Sequence, residues 1–373
     1  MSADVPEKHW SEDYTLYNRP VQKAVSATSL PNLKCVVCDG VGADSRFDIT
    51  GFGSQVVVCR NCGSGFLHPM PSPELVAEQY PPTYYGNTGR KFQPLIELVV
   101  RVIGGRHARF LARRVPPQGR ILDVGCGRGV ILKQLADRNY ETHGFERFAS
   151  AAEGIDPRVQ LRVGEDLTSV NYPDHYFDQV ILWHVLEHVA APQELLQEIH
   201  RILKPGGEVI VAVPNFSSLQ AQWAGAAWFH LDLPRHLLQI PQRALLNMLQ
   251  DCGFRPGTVH HFSLRQNPFG WVQSALNKTN LFPRNSLYEF LHAHDERQLR
   301  GLTLAARLKL GAAFLVGMPA GLLLEIFARI FSSGATIHVA SVAMPVFSPR
   351  QTDNGTQQFA EVESDSPGQR EIL

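Results

Sequence analysis

Ile121-Leu122-Asp123-Val124-Gly125-Cys126-Gly127-Arg128-Gly129 is the stretch that decides the fold: a buried-type strand, then three glycines at alternate positions, then a helix opening at Val130. Glycines in such a turn remove the Cβ atoms, so a ligand can press against backbone N–H groups at a helix N-terminus. A dinucleotide fingerprint needs its third glycine one place later, where Val130 stands, so the spacing leans away from NAD. Working outward, strand patterns at 120–124, 142–146, 159–163, 179–183 and 208–213 alternate with helical patterns at 130–138 and 192–203. That is the β-α-β rhythm of an α/β protein with a doubly wound parallel sheet. Glu146 ends the second strand, where a carboxylate accepts both hydroxyls of a ribose. Glu165-Asp166-Leu167 follows the third strand and can meet an adenine amino group. Three acidic positions after three successive strands fit a neutral or cationic adenosine compound better than a ligand with phosphates.

Size and charge narrow the setting. The chain has 373 residues, two to three times a domain of roughly 100–200, so one large domain with additions or two domains is expected. Thirty-five Lys and Arg balance 35 Asp and Glu, which argues against a wholesale polyanion binder and leaves local basic patches open. Residues 1–31 carry no apolar run of signal-peptide type, so a cytoplasmic setting with reduced cysteines is expected. Six cysteines are too few for a disulfide scaffold.

Five motifs agree in order and spacing with one family. Asp123-x-Gly125-x-Gly127-x-Gly129, Glu146, Phe177-Asp178, Trp183-His184-Val185-Leu186-Glu187-His188 and Arg201-Ile202-Leu203-Lys204-Pro205-Gly206-Gly207 resemble the class I S-adenosylmethionine-dependent methyltransferases over residues 119–254. The resemblance implies S-adenosyl-L-methionine as cofactor and a Rossmann-like, seven-stranded sheet ending in an antiparallel hairpin, here 258–264 with 336–343. It implies that Asp123 and the backbone of Gly125, Cys126, Gly127 and Gly129 hold the methionine part, Glu146 the ribose, and Asp166 with Leu167 the adenine. His184 lines the same pocket.

Cys35-x-x-Cys38, twenty intervening residues and Cys59-x-x-Cys62 match a four-thiolate zinc site. Gly40 and Gly63 allow the backbone to curl behind each pair. Four thiolates leave no open position on the metal, so the Zn2+ is expected to be structural. Disulfides and a redox pair are the other readings of such cysteines. Some related methyltransferases carry such a ribbon, followed by a Pro-x-Pro and a Tyr-rich turn, which Pro69-Met70-Pro71, Tyr80 and Tyr84-Tyr85 resemble. In that group substrates are often sugars or lipid-linked intermediates.

A sulfonium-bound methyl is already activated, so catalysis is mainly alignment in a dry pocket. A base helps where the acceptor carries a proton of high pKa. His184, just past the fourth parallel strand, is the first candidate near the methyl; lining the cofactor pocket without proton transfer is the alternative. Arg235 and His236 form a polar cluster with His230 and Asp232, in which Arg235 binds an acceptor phosphate or carboxylate and His236 acts as base. A loop tied down by its own ion pair is the other reading.

The expected organisation is a flexible arm (1–33), a zinc-ribbon-like element (34–75), a helical connector (76–117), a methyltransferase domain (118–345) with a helical insertion at about 265–334, and a disordered tail (346–373). Residues 90–120 hold eight Lys or Arg and one acid, a face suited to acidic lipid, a glycan pyrophosphate or RNA, or simply to water. The uncharged run 310–324 is short for a bilayer crossing of about 20 residues and contains Pro319. A helical lid or surface element is expected there, with peripheral membrane contact at the inner face through 310–331 as the alternative. The expected activity is methyl transfer to a small-molecule, sugar or lipid-linked glycoconjugate acceptor. An RNA base methyltransferase, a quinone-type O-methyltransferase and a non-catalytic binding module are the alternatives. Neutral charge and the apolar insertion disfavour nucleic acid, and quinone enzymes lack the cysteine ribbon. Oligomeric state is not legible.

Overall fold

The computed structural model describes residues 21–24, 28–80, 105, 107–264, 266–292 and 302–345. The chain first lays down strands β1 (Val21–Lys23), β2 (Ser29–Lys34), β3 (Val41–Ile49), β4 (Gln55–Cys59) and β5 (Gly65–His68), then the short helix α1 (Pro73–Ala77). A second sheet begins with β6 (Arg120–Val124), α2 (Val130–Ala136), β7 (Glu141–Glu146), β8 (Gln160–Val163), β9 (Phe177–Trp183), α3 (Pro192–Ile202) and β10 (Leu203–Pro214). Helix α4 (Leu219–Ala224), strand β11 (Leu238–Gln239), helix α5 (Gln242–Asp251) and strand β12 (Phe254–His260) follow. Three helices, α6 (Asn267–Thr279), α7 (Ser286–His292) and α8 (Leu304–Ile330), intervene before the last strand, β13 (Thr336–Ala343).

The larger sheet has seven strands in the order β12-β13-β10-β9-β6-β7-β8. β6 to β10 are parallel, and β13 runs antiparallel between β10 and β12. Val180, Ile181 and Leu182 of β9 and the run Val209 to Val213 of β10 have no exposure, as expected of strands covered on both faces. The chain winds outward from β6 through β7 to β8, then returns to β9 on the other side of β6. This reversal opens a crevice at the carboxyl ends of β6 and β9, where open α/β sheets bind ligands.

The smaller sheet is less separate than a ribbon appended to an enzyme. β11, from the second half of the chain, pairs antiparallel with β5, and one continuous core joins Cys35, Val57 and Phe66 to Leu182, Val211 and Leu245. Gln193 Nε2 on α3 also donates to the Val37 carbonyl at 2.9 Å.

Three expectations change. The sheet begins before the expected boundary at residue 34, because β1 and β2 both pair with β3 and Leu30 and Leu33 pack on the core. Pro31, which suggests an arm, sits at a register shift in β2, a position where a strand tolerates proline. The hairpin strand starts at Phe254, not 258: Pro256-Gly257 marks a bulge within it, and a Cβ on Gly257 would lie 2.7 Å from the Ala340 carbonyl oxygen. The apolar run is part of one 27-residue helix that continues through Pro319. That helix is long and apolar enough to cross a membrane, and 17% of its most apolar stretch is buried. Expectations for the first part of the arm, for residues 81–104 of the connector with Tyr84-Tyr85 and much of the basic face, and for the tail at 346–373 lie outside the described residues.

Candidate active site and cysteine cluster

β6 delivers Asp123 into the crevice and hands the chain to the glycine turn. Gly125, Gly127 and Gly129 all take left-handed backbone conformations, with φ of 70°, 49° and 62°. Their surroundings differ. A Cβ at Gly125 would lie 2.7 Å from Val185 and one at Gly129 2.6 Å from Ile155, whereas one at Gly127 would point into open space. Gly125 and Gly129 are therefore required by packing, and Gly127 leaves its face clear for a ligand.

Glu146 closes this edge from β7. Its Oε2 accepts the Gly127 N–H at 2.9 Å and its Oε1 the Arg147 N–H at 3.0 Å. Burial raises its pKa against the pull of these N–H groups. Asp123 is buried as well, and burial together with the Glu146 charge pushes its carboxyl up to about 8. Two carboxyls in one dry crevice favour a cationic guest, because a positive charge relieves both. The adenosine edge and the sulfonium expected from the motifs fit this cradle.

The other cofactor candidates are placed differently. Cys126 turns its thiol toward β7, where a Cβ on Gly144 would meet its Sγ at 2.7 Å, and burial pushes that thiol up. Asp166 is exposed and accepts from Thr168 Oγ1 at 2.6 Å and the Ser169 N–H at 2.8 Å, contacts that lower its pKa. It thus fastens the turn Thr168–Val170, while the neighbouring Leu167 side chain packs into the core.

Directly beyond β9 lies a cluster of polar side chains. His184 has φ 56°, which turns the chain out of the strand. Its Nδ1 lies 2.9 Å from Glu187 Oε1 and its Nε2 2.7 Å from Gln266 Oε1. His188 Nδ1 lies 3.0 Å from the Arg235 carbonyl oxygen and 2.8 Å from Tyr80 Oη. A carbonyl only accepts, so the ring carries its proton on Nδ1 and leaves Nε2 bare. His236 Nδ1 likewise donates to the His230 carbonyl at 2.8 Å, and its Nε2 stands 3.8 Å from Asp232 Oδ2 and 4.0 Å from Glu187 Oε1. Burial and the neighbouring His236 lower His188 to about 4. Burial also acts on Glu187, but the His184 hydrogen bond and nearby histidines outweigh it and hold the carboxylate at about 2.

Two buried atoms of the cluster, Glu187 Oε2 and His230 Nε2, have no hydrogen-bond partner among the described residues. Val185 packs on Gly125, so this cluster adjoins the cofactor turn. Arg235 has a different setting from the one expected of an anion receptor. It is buried and its guanidinium is ion-paired with both oxygens of Asp232. Its contribution to the cluster is the carbonyl that fixes His188. Sequence reasoning gives little weight to Glu187-His188 and none to Gln266; nothing in the local pattern marks Gln266, which arrives from the insertion.

Among the described residues, two groups of side chains can hold a metal ion. Glu187, His188 and His236 bring one ligating atom each within 4.8 Å of one another. The four cysteines do the same, with Cys35 Sγ 3.7 Å from Cys62 Sγ and Cys38 Sγ 3.8 Å from Cys59 Sγ. A disulfide needs about 2.05 Å, whereas four thiolates at about 2.3 Å from one zinc have edges of about 3.8 Å. The two turns are near copies. Cys35 and Cys59 each donate N–H to the carbonyl five residues on, at 2.9 Å, and each accepts the N–H four residues on, at 3.0 Å. The left-handed residue of the first turn is Asp39 (φ 57°), matching Gly63 (φ 74°); Gly40 instead allows Asn61 to approach.

The methyltransferase-domain family matches residues 97–259. The ubiquinone biosynthesis O-methyltransferase of Ruegeria pomeroyi is 30% identical over 208 residues, 49% of this chain and 82% of that protein. Its counterpart in Cereibacter sphaeroides is 27% identical over 212 residues, 50% and 83% of the two chains. A SAM-dependent methyltransferase structure from Archaeoglobus fulgidus aligns over 65% of this chain and 94% of its own, with 17% identity and a TM-score of 0.42. With the glycine turn, the two buried carboxyls and the seven-stranded order, this chain belongs to the S-adenosylmethionine-dependent methyltransferases.

Proposed function

We propose that the protein transfers a methyl group from S-adenosylmethionine to a small-molecule acceptor, a sugar or a lipid-linked glycoconjugate, bound against the cluster beyond β9. The observation that carries this reading is the pair of buried atoms without a hydrogen-bond partner among the described residues, Glu187 Oε2 and His230 Nε2, in the cluster that holds His236 and adjoins the cofactor turn. Burying polar atoms without partners costs about 1–3 kcal/mol each, a cost that a polyhydroxylated acceptor would remove.

Bound S-adenosylmethionine supplies an electrophilic methyl on a sulfonium. Asp123 and the Gly125–Gly129 backbone would hold its methionine part, Glu146 the ribose, and the segment at Asp166-Leu167 the adenine. His236 Nε2 takes the acceptor proton, and its Nδ1 bond to the His230 carbonyl fixes the tautomer that makes this possible. Glu187 stabilises the imidazolium so formed. His184, held at both ring nitrogens, shapes the wall between cofactor and acceptor. Arg235 and Asp232 are positioning residues that keep the loop in place. The four cysteines hold a structural zinc that fixes the small sheet, and through it Tyr80, against His188.

A second reading is favoured by the relatives: O-methylation of a quinone-type phenol, which would need the same base. Incubation with methyl-labelled S-adenosylmethionine and a host extract, followed by separation, distinguishes the readings. Label in sugar or polar-lipid fractions is expected; label in quinones supports the second reading, and label in RNA overturns both. Cofactor binding by calorimetry without turnover on any fraction would indicate a non-catalytic binding module.

A further inference from the structure

We propose that the outward face of α8 is a docking surface for an anionic lipid bilayer, on which the enzyme lies with this helix parallel to the membrane plane. The inference rests on the helix alone and stands whichever acceptor is methylated.

α8 is amphipathic in the inverse sense. Leu315, Val316, Leu323 and Ile330 are between 69% and 76% exposed, and Leu308 and Phe327 share their face. The carboxylate of the helix, Glu325, has no exposure and faces the protein, where it accepts from Asn267 Nδ2 and, at 3.2 Å, from Trp271 Nε1. Turning the charge inward and the leucines outward is the pattern of a surface that meets lipid rather than water. At about 1.5 Å per residue the helix runs about 40 Å, so the apolar stripe is far longer than a stray surface leucine. Exposed Lys309 lies near the start of the stripe and exposed Arg329, 5.7 Å over the Phe262 ring, near its end, with no exposed carboxylate on the helix between them. Cations at both ends match the phosphates of an anionic leaflet, each worth about 1 kcal/mol near the surface.

The packing sets the orientation. Gly321 and Gly317 of α8 lie against Pro268 and Val272 of α6, so the two helices run antiparallel in close contact. The opposite side of α6 is tied to the catalytic domain along its length, by Ser274 Oγ accepting the Phe229 N–H at 2.9 Å and Asn277 Nδ2 donating to the Ala227 carbonyl at 3.2 Å. α8 is therefore the outermost layer of a sandwich and cannot cross a bilayer without drawing the domain in with it. Pro319, on the outward side, has no N–H to offer the Leu315 carbonyl, which suits the wet headgroup depth better than the hydrocarbon centre.

The test is co-sedimentation of the full, metal-loaded chain with vesicles of phosphatidylcholine and phosphatidylglycerol at 3:1 and of phosphatidylcholine alone. The wild type should sediment with the anionic vesicles, and Leu315→Glu/Leu323→Glu should lower the bound fraction about tenfold or more. Lys309→Glu/Arg329→Glu should lower it less and remove its salt sensitivity. S-adenosylmethionine affinity, measured in parallel, should be unchanged. If the double glutamate variant fails to fold, Phe327→Trp replaces it, with fluorescence quenched by brominated acyl chains as the expected result. A wild type that stays in solution with both vesicles, or a Phe327→Trp variant whose fluorescence lipid bromine does not quench, overturns the proposal. So does a wild-type dimer that the glutamates split while vesicle binding is absent, because a second copy would then cover the face.

Discussion

The glycine-turn edge and the polar edge beyond β9, proposed to take the cofactor and the acceptor, lie a few residues apart and are built by opposite means. At the cofactor edge the backbone does the work: three left-handed glycines, one of them facing open space, and two carboxyls at strand ends. At the acceptor edge the side chains do it, and they come from remote parts of the chain. Tyr80 arrives with the small sheet, His184 to His188 with β9, His236 with the loop before β11, and Gln266 with the insertion. A ligand site made of backbone is local and tolerates little substitution. One made of converging side chains depends on everything that holds their carriers together.

Loosening a carrier should have the largest effect. Cys38→Ser/Cys62→Ser should abolish metal binding and lower the melting temperature by about 10 °C, the scale of a few kcal/mol for a chain of this size. Because the small sheet and the domain share one core and Tyr80 meets His188, activity should fall with it. Metal analysis and thermal unfolding check this, and an unchanged melting temperature would mean that the cysteine turns stand without an ion.

Next in size is the proposed base. His236→Gln should reduce kcat by about 10²–10⁴-fold and leave cofactor affinity alone, whereas Arg235→Lys should act through the loop and be milder. A loss of cofactor binding in His236→Gln would merge the two edges into one site.

A smaller effect follows from Asp123. Its folded pKa of about 8 lies above the unfolded carboxyl value, so burial beside Glu146 favours its neutral form. The stability it contributes is complete below about pH 4 and is lost as pH rises through 8. A cationic ligand prefers the ionised form. S-adenosylmethionine affinity should therefore climb by up to about tenfold per unit between pH 6 and 8 and then level off, with protons released on binding. Calorimetry in buffers of different ionisation enthalpy reads both, and Asp123→Asn should flatten the profile. Smallest is Cys126→Ala, expected to change affinity by less than about threefold, since the thiol faces β7 rather than the open side of the turn.

The same contrast explains what was legible from sequence. The glycine turn, Glu146, the parallel rhythm and β13 are local patterns whose physics is complete within a few residues. The cysteine pairs were legible too, because two pairs at short spacing have few other uses, although the left-handed position fell on Asp39 rather than Gly40. The acceptor cluster was read only in part. His184 is marked by its place just past a strand and His236 by its polar neighbours in an irregular segment, but the Asp232 pairing of Arg235, the tyrosine bound to His188 and the arrival of Gln266 are tertiary facts. Pro256-Gly257 and Pro319 misled for one reason: residues that break an isolated strand or helix are absorbed where a bulge or an open helix face gives them room.

On this reading the cofactor presses on the chain at the clear face of Gly127, between Asp123 and Glu146. Titration calorimetry of S-adenosylmethionine into Gly127→Val probes this, because a Cβ at this position meets no protein atom within 4 Å, and thermal unfolding checks that a β-branched residue at a φ of 49° leaves the variant folded. The expected result is a folded protein whose affinity has dropped by about a hundredfold or more. A folded variant that binds as tightly as the wild type would contradict the account.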